Sequence, residues 1–117
     1  MSFEDLDVWK RSTRLTVEIH KHLRGVRDFG FRDQITRSAL SVPSNAAEGV
    51  ERGSLNEKVR FLTYAKGSCG ELRTRLYVGV EIGYFERDVG REWIEQTRET
   101  LAMLVGLMRT IERGVEP

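Results

Sequence analysis

The sequence predicts an all-α protein, an antiparallel up-down-up-down four-helix bundle with a proline-bent second helix. Three observations carry that prediction. Apolar residues recur at threes and fours through four long stretches. Only two prolines occur and no segment is low-complexity, which leaves little room for linker. Short, glycine-bearing connections join the stretches, so consecutive helices lie side by side and antiparallel, crossing near 20°.

The first helix is expected from Phe3 or Glu4 to Leu23. Val8, Leu15, Ile19 and Leu23 form its seam, with Leu6, Trp9 and Val17 widening it, and Glu4, Asp5 and Asp7 sit where the helix dipole favours anions. Gly25 and Gly30 mark the break that follows. The second helix is expected to begin between Phe31 and Asp33 and carries Ile35, Leu40 and Val42 up to Pro43. A proline inside a helix removes one backbone hydrogen bond and crowds the carbonyl four residues earlier. Two outcomes follow: a break at Val42 with Ser41 or Ser44 capping a second piece, or one bent helix running on to Glu51. The run of small residues after Pro43 favours the bent helix.

The third helix has the clearest start. In "SLNE", Ser54 is the N-cap and Glu57 the third helical residue of a capping box. Leu55, Val59, Leu62, Cys69, Leu72, Leu76 and Val80 or Gly83 then form a seam as far as Ile82. Gly67, Gly70 and Gly79 each weaken this helix by about 1 kcal/mol relative to alanine, which predicts close packing against a neighbour. The fourth helix is expected from Asp88 to Arg113, with Ile94, Leu101, Leu104, Met108 and Ile111 inward and Glu92, Glu95 and Glu99 outward. Phe61, Tyr64, Tyr77, Val78, Trp93 and Val105 fall off these seams, more apolar surface than one bundle needs, which predicts a homo-oligomer.

At 117 residues the chain is read as one domain, residues 1–117, with one core. Its single cysteine allows no internal disulfide, so the expected home is the reducing cytoplasm. No apolar run approaches the length of a membrane span and the first residues lack the apolar stretch of a signal peptide, so neither membrane nor secretion is expected. Phosphate loops, dinucleotide fingerprints and paired metal-ligand motifs are missing, which argues against an enzyme and against any cofactor or metal. His20 and His22 lie about 200° apart around one helix and do not share an ion. Cys69 on a core seam reads as a buried structural thiol, and Met103 and Met108 as core filler.

The net charge of +1 hides an asymmetry. Residues 1–80 hold 14 Lys/Arg against 10 Asp/Glu, whereas residues 81–117 hold 5 against 8. The basic residues gather in two runs: Lys10, Arg11, Arg14, Lys21, Arg24 and Arg27, then Lys58, Arg60, Lys66, Arg73 and Arg75. These eleven are the candidate nucleic-acid contacts, since clustered cations attract phosphate. They equally suit solvated helix faces that pair with the acidic last helix.

"RSALSVPSNAAEG" followed by Arg52, then "FLTYAKGSCGELRTRLYVGVEIGY", together with the opening "FEDLDVW", resembles the four-helix-bundle family encoded in 23S ribosomal RNA intervening sequences, the S23 ribosomal protein family. The recurring family pattern falls on Ser41, Val42, Pro43, Ser44, Asn45, Ala47, Glu48 and Gly49, with Ala46 where a larger aliphatic residue is usual. The chain also resembles the accessory variability determinant of diversity-generating retroelements, whose basic pentameric barrel binds nucleic acid and a reverse transcriptase. These resemblances imply a ring of five copies and a partner that is RNA or DNA, or another protein. The motif is read first as structural: Pro43 bends the helix, Asn45 bonds backbone groups the bend frees, and Glu48 pairs with Arg37 or Arg52. The competing reading makes Arg37, Asn45, Glu48 and Arg52 a contact surface. Two functions compete in turn: a non-enzymatic oligomer that binds nucleic acid through basic helix faces, and a protein-binding adaptor or structural oligomer anchored by Phe61, Tyr64, Tyr77 and Trp93.

Overall fold

The computed structural model describes residues 2–117 and contains four helices, with no strand among the described residues: α1 (Asp7–His22), α2 (Phe29–Glu51), α3 (Leu55–Ile82) and α4 (Arg87–Glu112). They form an elongated up-down bundle of 45 × 22 × 20 Å. α2 packs most extensively on α3, α3 on α4 and α1 on α2, whereas α1 and α4 meet sparsely. No helix is long and apolar enough to cross a membrane among the described residues.

The chain opens differently from the expected single helix. Phe3–Asp5 makes a 3₁₀ turn capped by Ser2, whose Oγ accepts from Glu4 N at 3.4 Å. Leu6 is then extended, which turns its side chain into the core, and α1 starts only at Asp7. α2 begins earlier than expected, at Phe29, and Gly30 lies inside it rather than breaking it. The Asp28 carboxylate explains the early start by accepting from Phe31 N at 3.1 Å, an N-cap in front of the first turn. α3 starts as the sequence foretold, with Ser54 Oγ accepting from Glu57 N at 3.2 Å. It ends at Gly83, whose φ of +90° places it in the left-handed region and makes it a cap rather than a seam residue.

Two apolar clusters fill the bundle. At one end Leu6, Val42, Ala46, Leu62, Cys69 and Leu104 pack together; at the other, Ile19, Leu23, Ile35, Leu72, Leu76 and Trp93. Between them runs a polar waist where Ser12, Thr97 and Thr100 face a gap too narrow for water. Trp93, expected off the seam, is 2% exposed, held by an Nε1–H donated to Glu18 Oε2 at 3.2 Å and by the ring of Phe85. Leu40 and Leu55, expected inward, are instead about half exposed, and Phe61 is half-buried.

The three α3 glycines divide. A Cβ on Gly79 would lie 2.5 Å from Phe85 Cζ and 3.0 Å from Phe31 Cζ, so here the predicted close approach is present. Gly67 and Gly70 have nothing within 4 Å, and the expectation that a neighbour within the chain packs on them fails. Gly49 on α2 makes another tight approach, where a Cβ would meet Leu62 Cγ at 3.0 Å, and Gly90 on α4 a third, against Val80 and Phe85.

Candidate functional site

The motif around Pro43 lies inside an unbroken α2, with Pro43, Ala46 and Gly49 buried. Proline has no N–H, so the carbonyl of Ala39, four residues back, loses its helical donor. Thr16 of α1 supplies the replacement: its hydroxyl, itself buried, lies 3.0 Å from Ala39 O and 2.8 Å from Ser12 O. The sequence reading assigned this repair to Asn45, but Asn45 Nδ2 donates instead to Ser41 O and Ser41 Oγ, both at 2.9 Å. Ser68 Oγ joins Ser41 Oγ at 2.8 Å, so the chain Asn45–Ser41–Ser68 ties α2 to α3.

Glu48 pairs with Arg52 and not with Arg37. Arg52 also lies 3.6 Å from Glu57 and stacks 4.5 Å over the Phe61 ring, clamping the turn between α2 and α3. Ser44 and Arg37 point to solvent. Contact residues therefore do not converge here: Asn45 and Arg52 are committed to neighbours in the fold, and Arg37 and Glu48 are not brought together.

The eleven candidate cations separate by the same test. Arg11 bridges α1 to α4, donating to Gln96 Oε1 at 2.8 Å and to Glu99. Lys58 Nζ donates to Val50 O at 2.9 Å, satisfying a carbonyl in the last turn of α2. Arg73 Nε donates to Thr97 Oγ1 at 2.9 Å, Arg75 pairs with Glu71 at 3.3 Å, and Arg60 lies over Phe61. Lys66 is half-buried.

Lys10, Arg14, Lys21 and Arg24 behave differently. Their positions advance by four, seven and three residues, and with Val17 between them they trace one line at alternating fours and threes. At 100° per residue Lys10, Arg14 and Lys21 stay within about 40° of the helix circumference and span roughly 16 Å, while Arg24 lies in the turn just past the end of α1. Every one of them is exposed, and none has an ion-pair partner among the described residues. Two acids share this helix: Asp7, three residues before Lys10, and Glu18, four residues after Arg14 and three before Lys21, whose Oε2 accepts from Trp93 Nε1. Arg27 is exposed in the connection between α1 and α2. Sequence reasoning missed Arg32, whose Nη1 donates to Arg24 O at 3.4 Å and whose guanidinium stacks 4.8 Å over Phe29. The early start of α2 brings it there, and the Asp28 cap was the signal that would have placed it.

Cys69 donates its S–H to Thr97 O at 3.0 Å; burial pushes the thiol pKa up, against the opposing pull of Arg73. His20 and His22 each set Nδ1 against a carbonyl of their own helix, and His22 meets the Trp93 ring edge-on at 4.9 Å. Nothing in the arrangement points to catalysis.

The model of the 23S rRNA-intervening sequence protein family matches residues 4–106. The chain belongs to that family. A crystal structure from Bacteroides thetaiotaomicron VPI-5482, of a protein with unknown function from the S23 ribosomal protein family, superimposes with a TM-score of 0.81 at 22% identity, covering 88% of this chain and 99% of the other. That likeness establishes the four-helix fold of this family member. None of the curated proteins matches it.

Proposed function

We propose that this member of the 23S rRNA-intervening sequence protein family is a non-enzymatic, homo-oligomeric module of the cytoplasm that docks on nucleic acid, RNA in the first instance, through the outer face of α1. The observation that supports this is the line of Lys10, Arg14, Lys21 and Arg24, exposed and without carboxylate partners among the described residues. Side chains kept solvated and uncompensated along one face are free to exchange counterions for phosphates. In a ring of five, the assembly that the family resemblance implies, five such faces would add their fields.

Anisotropy of a short structured RNA, titrated across salt concentrations, tests the reading. Four phosphate contacts give a slope of log K against log salt of roughly −3 to −4. Replacing all four residues by glutamine should abolish most of that slope, whereas Arg75→Gln, which removes a paired cation, should leave it. Absence of binding at low salt, or equal binding by the fourfold variant, refutes the proposal. A second reading, the protein adaptor or structural oligomer, draws on the half-exposed rings of Tyr64 and Tyr77 and on the cations already tied up within the fold.

A further inference from the structure

We infer that the nucleic acid docked along α1 carries an unpaired base beyond the C-terminal end of that helix, and that this base stacks on the ring of Phe29. The inference rests on the reading above and adds the form of the ligand and one further contact residue. It starts from an exposed ring. Phe29, the first residue of α2, is 60% exposed, the highest value among the exposed large apolar residues. It joins neither apolar cluster, whereas Phe31, two positions on, packs against the core and lies 5.0 Å from the Tyr84 ring.

What surrounds the ring selects a nucleotide. The Arg32 guanidinium lies over Phe29, 4.8 Å from the ring centroid, and backs one side of it. The same guanidinium donates through Nη1 to Arg24 O at 3.4 Å, which holds ring and cation against the turn that follows α1. Residues 24–32 hold three arginines, Arg24, Arg27 and Arg32, against one acid, Asp28. That carboxylate is taken by the amide of Phe31 and the hydroxyl of Tyr84, and none of the three arginines has an ion-pair partner among the described residues. An aromatic face backed by a guanidinium suits a base, and the neighbouring cations suit its phosphates. A fully paired duplex offers phosphates but keeps its bases stacked on one another, with no free face for Phe29. Only an unpaired nucleotide satisfies ring and cations together.

Anisotropy of a labelled RNA without secondary structure, alone and annealed to its complement, tests the inference at low salt. Phe29→Ala should weaken binding of the single strand roughly tenfold and leave that of the duplex unchanged. Its salt slope on the single strand should stay native, because no cation is removed. The fold tolerates the change, since the side chain lies outside both clusters and the Asp28 cap acts on Phe31. Phe29→Trp should keep native affinity, while Phe29→Leu, apolar without a π-face, should bind as weakly as Phe29→Ala. Native affinity of Phe29→Ala for the single strand, in a chain whose α1 line still governs the salt slope, overturns the stacking and leaves the α1 reading standing. Equal losses on single strand and duplex, or full recovery by Phe29→Leu, also overturn the stacking. Absence of binding to either RNA overturns both readings.

Discussion

Thr16→Val is the most incisive test of how this bundle tolerates a proline in α2. The substitution keeps the branched shape and removes only the hydroxyl that reaches the Ala39 carbonyl. Ser12 O, the hydroxyl's other acceptor, keeps its place in the α1 ladder, but Ala39 O has no helical donor because residue 43 is proline. Leaving one buried carbonyl unpaired costs about 1–3 kcal/mol. With an unfolding entropy of about 2.1 cal/mol/K per residue, each kcal/mol lowers the Tm of a chain this size by about 4 °C, so a loss of about 4–12 °C is expected. Urea unfolding followed by circular dichroism should show a lower midpoint at unchanged slope. The decisive control is Pro43→Ala, which restores an N–H able to reach Ala39 O. In that background Thr16→Val should cost less than about 0.5 kcal/mol, a coupling of the size expected for groups in direct contact. Equal costs in the two backgrounds would show that the hydroxyl does not compensate for the proline.

Three further outcomes follow from individual contacts. Thr100 is 2% exposed and its hydroxyl has no partner among the described residues, so Thr100→Val should raise stability by about 1 kcal/mol in the same urea assay. Glycine to alanine should have opposite signs along α3: Gly67→Ala, into open space, gains up to about 1 kcal/mol, while Gly79→Ala, pressed against Phe85 and Phe31, loses about 1–3 kcal/mol. Tyr84 donates to Asp28 Oδ2 at 2.5 Å, joining the α1–α2 and α3–α4 connections, and with the amide of Phe31 it holds the Asp28 carboxyl below its ordinary pKa, while Asp28 raises that of Tyr84. The stability this carboxylate adds is present above about pH 3.9 and is lost as pH falls through the lower folded value; that of the tyrosine is present below about pH 10 and lost as pH rises beyond it. Tyr84→Phe should flatten both limbs of the stability profile measured against pH.

Helix number and pairing were legible because they depend on periodicity, which tertiary packing here reinforces. Ser54 was legible because a cap is a local device. The misread features all depend on contacts distant in sequence. Leu6 leaves the first helix because the core accepts it as an extended residue, and Trp93 turns inward because α1 and α4 stand apart and Glu18 meets its N–H. The donor to Ala39 O was misassigned to Asn45, a residue on the same helix, since nothing in the spacing of α2 announces a threonine 23 positions earlier. Of the candidate contacts, Lys10, Arg14 and Lys21 share one face of α1 by the 3.6-residue turn, whereas Arg24 lies past its end. That Arg11, one step around the same helix, is spent on Glu99 could be seen only once α1 lay beside α4.

The residues that carry the family resemblance and those that carry the proposed function are different residues, and this has a consequence for the family. Pro43, Asn45, Gly49 and Arg52 are engaged with Thr16, Ser41, Leu62 and Phe61 through the backbone that a substitution would reach, or through direct bonds. Lys10, Arg14, Lys21 and Arg24 extend from the outer side of α1 into solvent. Changing them alters the field of the surface and little of the core, so stability constrains the motif but not the α1 face. Chains that share this fold at 22% identity need not share a partner. If the proposed docking holds, the charge on the outer face of the first helix, rather than the proline motif, is therefore the feature that should track nucleic-acid binding across members.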